Sequence, residues 1–376
     1  MKIMFVINTL GAGGAEKHLL SLTKNFMAKG DLICIAVLTR DIKGGAKNLK
    51  RDFIELGVEI FELNYCSEKY FRDFGRWYLL IRLITRWSPE IVHSHLPRAD
   101  FSVSLAKRLL RSFFWVTTIH DAYNKNTYSG FRIFDWAGWN WRIADHIITV
   151  SGHAKQWLES KIKPDQRKVT MVHHGINFNN IQSNISLKYN KKKINAGFKI
   201  GCLARFEPRK GISTLIEAME GVRAKFPTAK LIIAGSDPKN YSLKLRALVN
   251  ALNLNDAVEI QSFSKDPVVF LSRLDVFAFA STSEGFGLVL LEAMAVGLPI
   301  VASNIHPINF IIEDKITGFL VNPKSPAEFS SAIISCLSDR KLSSKMGQAG
   351  KLRCRLNFSE ERMIQSISDI YFDLLS

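Results

Sequence analysis

Cysteine is scarce in this chain and badly placed for either of its usual structural uses. Cys34, Cys66, Cys202, Cys336 and Cys354 are odd in number, widely scattered, and form no C-x-x-C pair. That excludes a disulfide framework and a cysteine metal cluster, and it points to a reducing, cytoplasmic compartment. Long apolar runs are missing too. The opening "MKIMFVINTL" has strand length, one lysine and no small-residue cleavage site, so neither a signal peptide nor a membrane span is expected. No Asp-x-Asp triplet occurs, so a carboxylate pair holding Mg²⁺ against a diphosphate is not visible. Acids are few: 34 Asp and Glu stand against 51 Lys and Arg, a formal net charge of +17 in 376 residues. Residues 1–188 carry 27 of the cations and 16 of the acids, hence +11 of that surplus. An anionic partner follows, and nucleic acid, an anionic membrane surface and a phosphorylated substrate all remain open.

The length exceeds what one hydrophobic core usually serves, so two domains are expected. The first half alternates short β-branched runs ("KIMFVIN", "LICIAVL", "IVHSHL", "FWVTTIH", "HIITVS") with helix-like stretches, among them one from about Gly14 to Ala28 stopped by Gly30. The polar, lysine-rich "NISLKYNKKKINAG" interrupts this pattern, and "FKIGCLARF", "AKLIIAGSD", "AVEIQSF", "VFAFAST" and "PIVAS" then resume it. Such alternation predicts an α/β protein with mostly parallel sheets wrapped by helices. The expected divisions are residues 1–185, 186–358 and a closing helix over 359–376, which opens on a serine followed by two glutamates.

Three glycine-punctuated turns carry the candidate chemistry. In "EGFGLVLLEAMAVGLPIVAS" the only ionisable residues are Glu284 and Glu292. Gly285 and Gly287 strip side chains from the loop just before a helix, where backbone N–H groups and the helix dipole favour an anion. Glu284 sits in that loop, and Glu292 on the second turn is placed to accept hydrogen bonds from a vicinal diol such as a ribose. The alternative is a solvated Glu284 and a Glu292 paired with a nearby cation. "ARFEPRKG" follows a strand and sets Arg205 and Lys210 five apart across a tight loop, a forked and a mobile cation suited to one diphosphate, or else two surface cations. In "NTLGAGGAEKH", Gly11, Gly13 and Gly14 resemble a dinucleotide fingerprint, but Glu16 takes the third glycine's place and no acid closes the next strand. A nicotinamide oxidoreductase is thereby disfavoured. His93, His95 and His120 each end a strand, and Asp121 follows; "HSH" lacks a third ligand at zinc spacing.

Together these segments resemble the family 4 retaining glycosyltransferases, the "glycosyl transferases group 1" signature, and "TTIHD", "ITVS" and "VHHGIN" extend the resemblance over nearly the whole chain. It implies the GT-B fold: two Rossmann-like doubly wound domains facing across a cleft, acceptor side first and nucleotide-sugar side second, with the C-terminal helix packing back on the N-terminal domain. It further implies that Glu292 binds the nucleotide ribose and Glu284 faces the donor sugar. Phe286, Gly287, Leu288 and Gly285 would line sugar or phosphates, Arg205 and Lys210 would hold the diphosphate, and Gly13 and Gly14 would approach it. His120 would sit by the transferred sugar, with His93, His95 and Asp121 on the acceptor side. No cofactor or metal is implied, and the leaving phosphate would accept the acceptor's proton. The chain departs from the family pattern at His174-Gly175, where Asn-Gly is usual, and at Ala280-Ser281, where Pro-Ser is.

The expected donor is a UDP-sugar, with GDP-sugars second, and the expected acceptor a glycan or lipid-linked glycan of bacterial envelope polysaccharide. "YFRDFGRWYLLIRLITRW" mixes Arg72, Arg76, Arg82 and Arg86 with Phe71, Phe74, Trp77, Tyr78 and Trp87, and Trp136, Trp139 and Trp141 follow later. A basic aromatic helix of this kind suits an anionic lipid interface; the plainer reading is core aromatics and a solvated arginine face. Peripheral attachment to the inner face of the cytoplasmic membrane is expected, and nucleic acid is not. Competing readings are a sugar-nucleotide 2-epimerase or a phosphorylase on a similar fold, and a non-enzymatic basic binding protein. The phosphorylase needs a far longer chain, and the basic binder leaves Glu284 and Glu292 unexplained.

Overall fold

The computed structural model describes residues 1–11, 13–39, 49–63, 72–123, 140–188, 197–237, 239–262 and 266–376. Contacts divide the chain into two compact units, Met1–His174 with Glu361–Ser376, and Gly175–Glu360.

The first unit is built on seven parallel strands, β1 (Lys2–Ile7), β2 (Leu32–Val37), β3 (Glu59–Glu62), β4 (Ile91–His95), β5 (Phe114–Ile119), β6 (His146–Thr149) and β7 (Val169–Met171), in the order β3-β2-β1-β4-β5-β6-β7. Its central strands are buried on both faces, which is why they read as near-continuous apolar runs. Successive β1 side chains point to opposite faces. Met4 and Val6 join a core with Leu80, Ile84, Val103 and Trp115, while Ile3, Phe5 and Ile7 join one with the last helix, Glu360–Leu375. That helix contributes Met363, Ile364, Ile367, Ile370 and Tyr371 at helical spacing, so it packs within the first unit as the resemblance implied. The helix Gly14–Ala28 ends where Gly30 adopts φ +86° and donates its N–H to the Met27 carbonyl at 2.9 Å, a left-handed stop suited to glycine.

The second unit repeats the plan with β8 (Lys199–Leu203), β9 (Lys230–Gly235), β10 (Val258–Ser262), β11 (Val276–Phe279), β12 (Ile300–Ser303) and β13 (Gly318–Val321), all parallel, in the order β10-β9-β8-β11-β12-β13. In both units strand order reverses beside the first strand, between β1 and β4 and between β8 and β11. In doubly wound sheets that reversal opens a crevice beyond the carboxyl ends of the strands, where ligands bind. The division between units falls at His174/Gly175, earlier than the lysine-rich stretch would place it. Ile176 donates to the Phe358 carbonyl at 3.0 Å, and Gln182 on the helix Phe178–Lys188 donates to the Ala295 carbonyl at 2.6 Å, which ties that helix to the second unit. At the other end the division lies at Glu360/Glu361.

The aromatic and basic stretch expected at a lipid surface is split by burial. On the helix Arg72–Trp87, Arg76 is buried, Trp77 and Trp87 are half-buried, and Lys2 lies over the Trp87 ring at 4.8 Å. Tyr78, Arg82 and Arg86 remain exposed. Trp141 is a core residue whose indole N–H donates to Asp100 at 3.0 Å. Trp136, Trp139, Phe71 and Cys66, with the side chains of Arg72 and Phe74, lie outside the described residues. Among the described residues, no helix is long and apolar enough to cross a membrane.

Candidate active site

At the reversal point of the second unit, β8 runs into the loop holding Arg205 and Lys210, and β11 into the loop holding Glu284. Backbone contacts stitch the two loops together. The Arg209 carbonyl accepts from the Thr282 N–H at 2.8 Å and from the Ser281 hydroxyl at 3.2 Å. Gly211 has φ +61°, and a Cβ there would overlap the Ala280 carbonyl, so only glycine allows so close an approach. This crossing brings Lys210 Nζ to 2.5 Å from Glu284 Oε1, with the two side chains only 11% and 8% exposed. The Lys210 ammonium also lies 5.7 Å from the centre of the Phe279 ring. Charges this buried are tolerable because each neutralises the other.

Arg205 does not converge on that pair. It is half exposed and bonds Glu207 at 3.3 Å. Arg209, which sequence reasoning did not single out, holds the same carboxylate at 2.9 Å and donates to the Ser283 carbonyl at 3.3 Å. Burial works against ionisation of Glu207, and the two guanidiniums outweigh it, keeping its carboxyl below the ordinary range. Phe286 is buried, its ring 6.1 Å from that of Phe358, so its side chain anchors the loop and leaves only its backbone to a ligand. Gly285 and Gly287 flank it. Gly287 has φ +101° and starts the helix Leu288–Val296, so the cap position itself carries no side chain to occupy the first N–H groups of the helix. Glu292 lies on that helix's second turn, half-buried.

In the first unit, Gly13 caps the helix Gly14–Ala28 in extended conformation, and Gly14 is exposed. A Cβ on Gly13 would overlap the carboxylate of Glu16, which also accepts from Thr9 Oγ1 at 3.3 Å. The residue that breaks the dinucleotide fingerprint therefore covers the helix end with its own anion.

The strand-end histidines belong to a larger buried group. His93 has both ring nitrogens engaged, Nδ1 with Tyr371 Oη at 2.5 Å and Nε2 with Thr118 Oγ1 at 2.7 Å. It is a core histidine tying β4 to β5 and to the last helix, not a ligand-facing one. His95 Nδ1 is 3.1 Å from His120 Nε2, and His174 Nδ1 is 3.1 Å from His18 Nδ1. The rings of His18, His95 and His120 stand 5.4–5.6 Å apart, and the remaining nitrogens His18 Nε2, His95 Nε2 and His120 Nδ1 are buried without a partner among the described residues. Burial and mutual repulsion hold all of these imidazoles neutral; the His93 pKa falls to about 3, and those of His18, His95, His120 and His174 lie well below the ordinary value. Asp121 is buried beside His120. Sequence reasoning missed His18, whose signal was its position four residues after Gly14, on the inward face of the helix. Among the described residues, no three His, Cys, Asp or Glu side chains are disposed to hold a metal ion.

Two family profiles match the chain. "Glycosyltransferase Family 4" covers residues 12–180 and "Glycosyl transferases group 1" covers residues 185–353. The chain belongs to the family 4 glycosyltransferases. Among its relatives, the capsular polysaccharide biosynthesis glycosyltransferase CapM of Staphylococcus aureus is 25% identical over 80% of this chain and 81% of its own length. The O-antigen biosynthesis glycosyltransferase WclY of Escherichia coli is 29% identical over 68% of this chain and 76% of its own. Among solved structures, Anabaena HepE in complex with UDP-glucose superposes with a TM-score of 0.84 at 19% identity, covering 99% of this chain and 100% of that one. The fold is GT-B, and the family identifies the protein as a glycosyltransferase.

Proposed function

We propose that this glycosyltransferase moves a hexosyl or N-acetylhexosaminyl group, with retention at the anomeric carbon and without a metal, from a nucleotide-diphosphate sugar to a glycan or lipid-linked glycan acceptor of bacterial envelope polysaccharide. The observation that carries the reading is the Lys210–Glu284 pair held at the β8/β11 reversal, next to the glycine-led amino end of the helix Leu288–Val296. A UDP-sugar is the first choice of donor, supported by the ligand of HepE, and envelope polysaccharide by the names of CapM and WclY. Exposed Tyr78, Arg82 and Arg86 support work at the inner face of the cytoplasmic membrane.

In this reading the donor diphosphate exchanges partners with the pair. Lys210 turns from Glu284 to the phosphate oxygens, and Glu284, released, accepts hydrogen bonds from donor sugar hydroxyls. Glu292 takes the ribose hydroxyls. As the anomeric C–O bond breaks, its electrons pass to the diphosphate. Lys210, Arg205 and the amino end of the helix at Gly287 stabilise that growing charge, an effect worth roughly 10²–10³ in rate for each well-placed donor. The acceptor oxygen forms the new bond on the same face, and its proton goes to the leaving phosphate. Gly13 and Gly14 need Glu16 to swing aside before a phosphate reaches them. His120, through Nδ1, gives a neutral imidazole to a sugar hydroxyl, with His95 and Asp121 next to it.

The test is transfer with a panel of UDP- and GDP-sugars in the presence of EDTA, reading the anomeric configuration of the product by NMR. An α-linked product from an α-linked donor is expected. Inversion, dependence on added metal, or a rearranged sugar nucleotide formed without acceptor would each replace this reading, the last with a 2-epimerase.

A further inference from the structure

The second unit has a cavity of about 480 Å³ at the opposite edge of its sheet from the Lys210 and Glu284 loops. It lies at the amino ends of β8, β11 and β12, against the helix Arg340–Asn357. Lys199, Arg273, Arg340 and Lys351 line it, with Asp275 as the single acid. One oxygen of that acid accepts the Lys199 N–H at 2.9 Å. Among the described residues, Lys199, Arg273 and Arg340 form no ion pair with the protein. The concavity is therefore cationic, and it lies where a doubly wound sheet does not place its nucleotide.

The helix Arg340–Asn357 adds a second observation. Its sequence carries six cations, Arg340, Lys341, Lys345, Lys351, Arg353 and Arg355, and no acid. Met346, Gly347, Gly350 and Cys354 bury its inner face. On the outer face, Leu352 and Leu356, one turn apart, are 58% and 55% exposed. Arg353 donates to the carbonyls of Phe310 and Ile311 at 2.7 and 2.8 Å, which fixes Phe310, itself 42% exposed, beside the same half of the helix. Arg340, Ser344, Gly347 and Lys351 put one face of the helix on the hollow, and Leu352, about 100° round the axis from Lys351, puts the apolar row on the face next to it. Water gives such a row no reward, and a nucleic-acid backbone would use the cations but not the leucines. A bilayer uses both, phosphates against the cations and acyl chains against the apolar side chains.

We propose that the cavity and the Arg340–Asn357 helix form a docking site for an anionic phospholipid surface. A headgroup phosphate sits among Lys199, Arg273, Arg340 and Lys351, while Leu352, Leu356 and Phe310 enter the boundary of the acyl region. The site stands on the second unit, apart from the exposed arginines of Arg72–Trp87, and its assignment is independent of the donor chemistry.

The test is co-sedimentation of the full-length protein, without donor, with vesicles of equal parts phosphatidylglycerol and phosphatidylcholine. Three forms are compared: wild type, the triple variant Arg273→Ser/Arg340→Ser/Lys351→Ser, and the double variant Leu352→Ser/Leu356→Ser. An unchanged Tm in the presence of UDP confirms that each variant is folded, and the exposed leucine positions keep the second variant informative if the first is unstable. Each variant should bind at least about tenfold more weakly than wild type, and wild type should not bind pure phosphatidylcholine. Wild-type binding by both variants would overturn the proposal. So would a loss confined to the triple variant, which would make the hollow a site for soluble anions, as stabilisation by inorganic pyrophosphate would then show.

Discussion

Lys210 and Glu284 stand 74 positions apart in the chain and 2.5 Å apart in the fold, in a closed ion pair nearly withdrawn from water. A pair of this kind is stable as found and has both charges ready for a ligand that can offer each a better partner. Removing one member leaves the other buried alone, a cost of about 3–5 kcal/mol in comparable settings.

Lys210→Ala should therefore lower both activity and stability, whereas Lys210→Met/Glu284→Gln should regain most of the stability and none of the activity. Thermal melts and kcat/KM, measured on the single and double variants, separate the two effects. A double variant with near-normal turnover would remove the pair from the chemistry.

Gly211 is the position at which the two loops touch. Gly211→Ala adds left-handed strain of about 1–2 kcal/mol before the overlap with the Ala280 carbonyl is counted. A several-fold rise in KM for the donor is expected together with a lower Tm, because Lys210 is displaced with its loop. An unchanged KM would mean that the loop contact does not position the site.

The proposed function gives His93 and His120 different roles. His93→Leu leaves the Tyr371 and Thr118 hydroxyls without the ring they bond, at about 1–3 kcal/mol for each unsatisfied group, and should depress Tm with little change in kcat. His120→Ala leaves His95 Nδ1 without its partner and should lower Tm as well, but it alone should cut kcat, by about 10²-fold. A kcat as little changed in His120→Ala as in His93→Leu would contradict the division.

Acid should unfold the first unit before the second. His18, His93, His95, His120 and His174 have depressed pKa values in the folded state, so the unfolded chain binds more protons below its ordinary histidine value of 6.5, and stability falls as pH drops from there towards 3. Asp100 acts in the opposite sense. Burial pushes its carboxyl up to about 7 against hydrogen bonds from Ser94, Thr117 and Trp141, so its contribution to stability declines as pH rises from 3.8 to 7. One carboxyl does not offset five imidazoles. All seven tryptophans precede residue 175, so tryptophan fluorescence reports this unit alone. Its Tm should fall steeply below pH 6.5, and a flat profile would contradict the neutral-histidine account.

Much of the fold was legible because the central strands of both sheets are buried on both faces and appear as apolar runs between helices. Both second-unit loops were legible for a related reason: glycines and charges cluster where a strand hands over to a helix. Pairing was not legible. Sequence spacing makes Arg205 and Lys210 look convergent, yet Arg205 and Arg209 both bond Glu207, which keeps Arg205 off the Lys210–Glu284 pair, a choice made by a carboxylate two positions away. His18 and His174 are 156 positions apart, and only the sheet order brings them together. Trp141 looked like an interfacial aromatic until the buried Asp100 supplied a partner for its indole. The lysine-rich stretch marks a change of composition, whereas the change of unit depends on which neighbours residues 176 and 182 bond.

The most direct measurement is a crystal structure of the protein with the nucleoside diphosphate of its preferred donor. The account predicts that the Lys210 ammonium leaves Glu284 and lies within about 4 Å of a diphosphate oxygen, an ion-pair distance, with the ribose on Glu292. A nucleotide bound with the Lys210–Glu284 pair still closed, and with Glu292 away from it, would contradict the account.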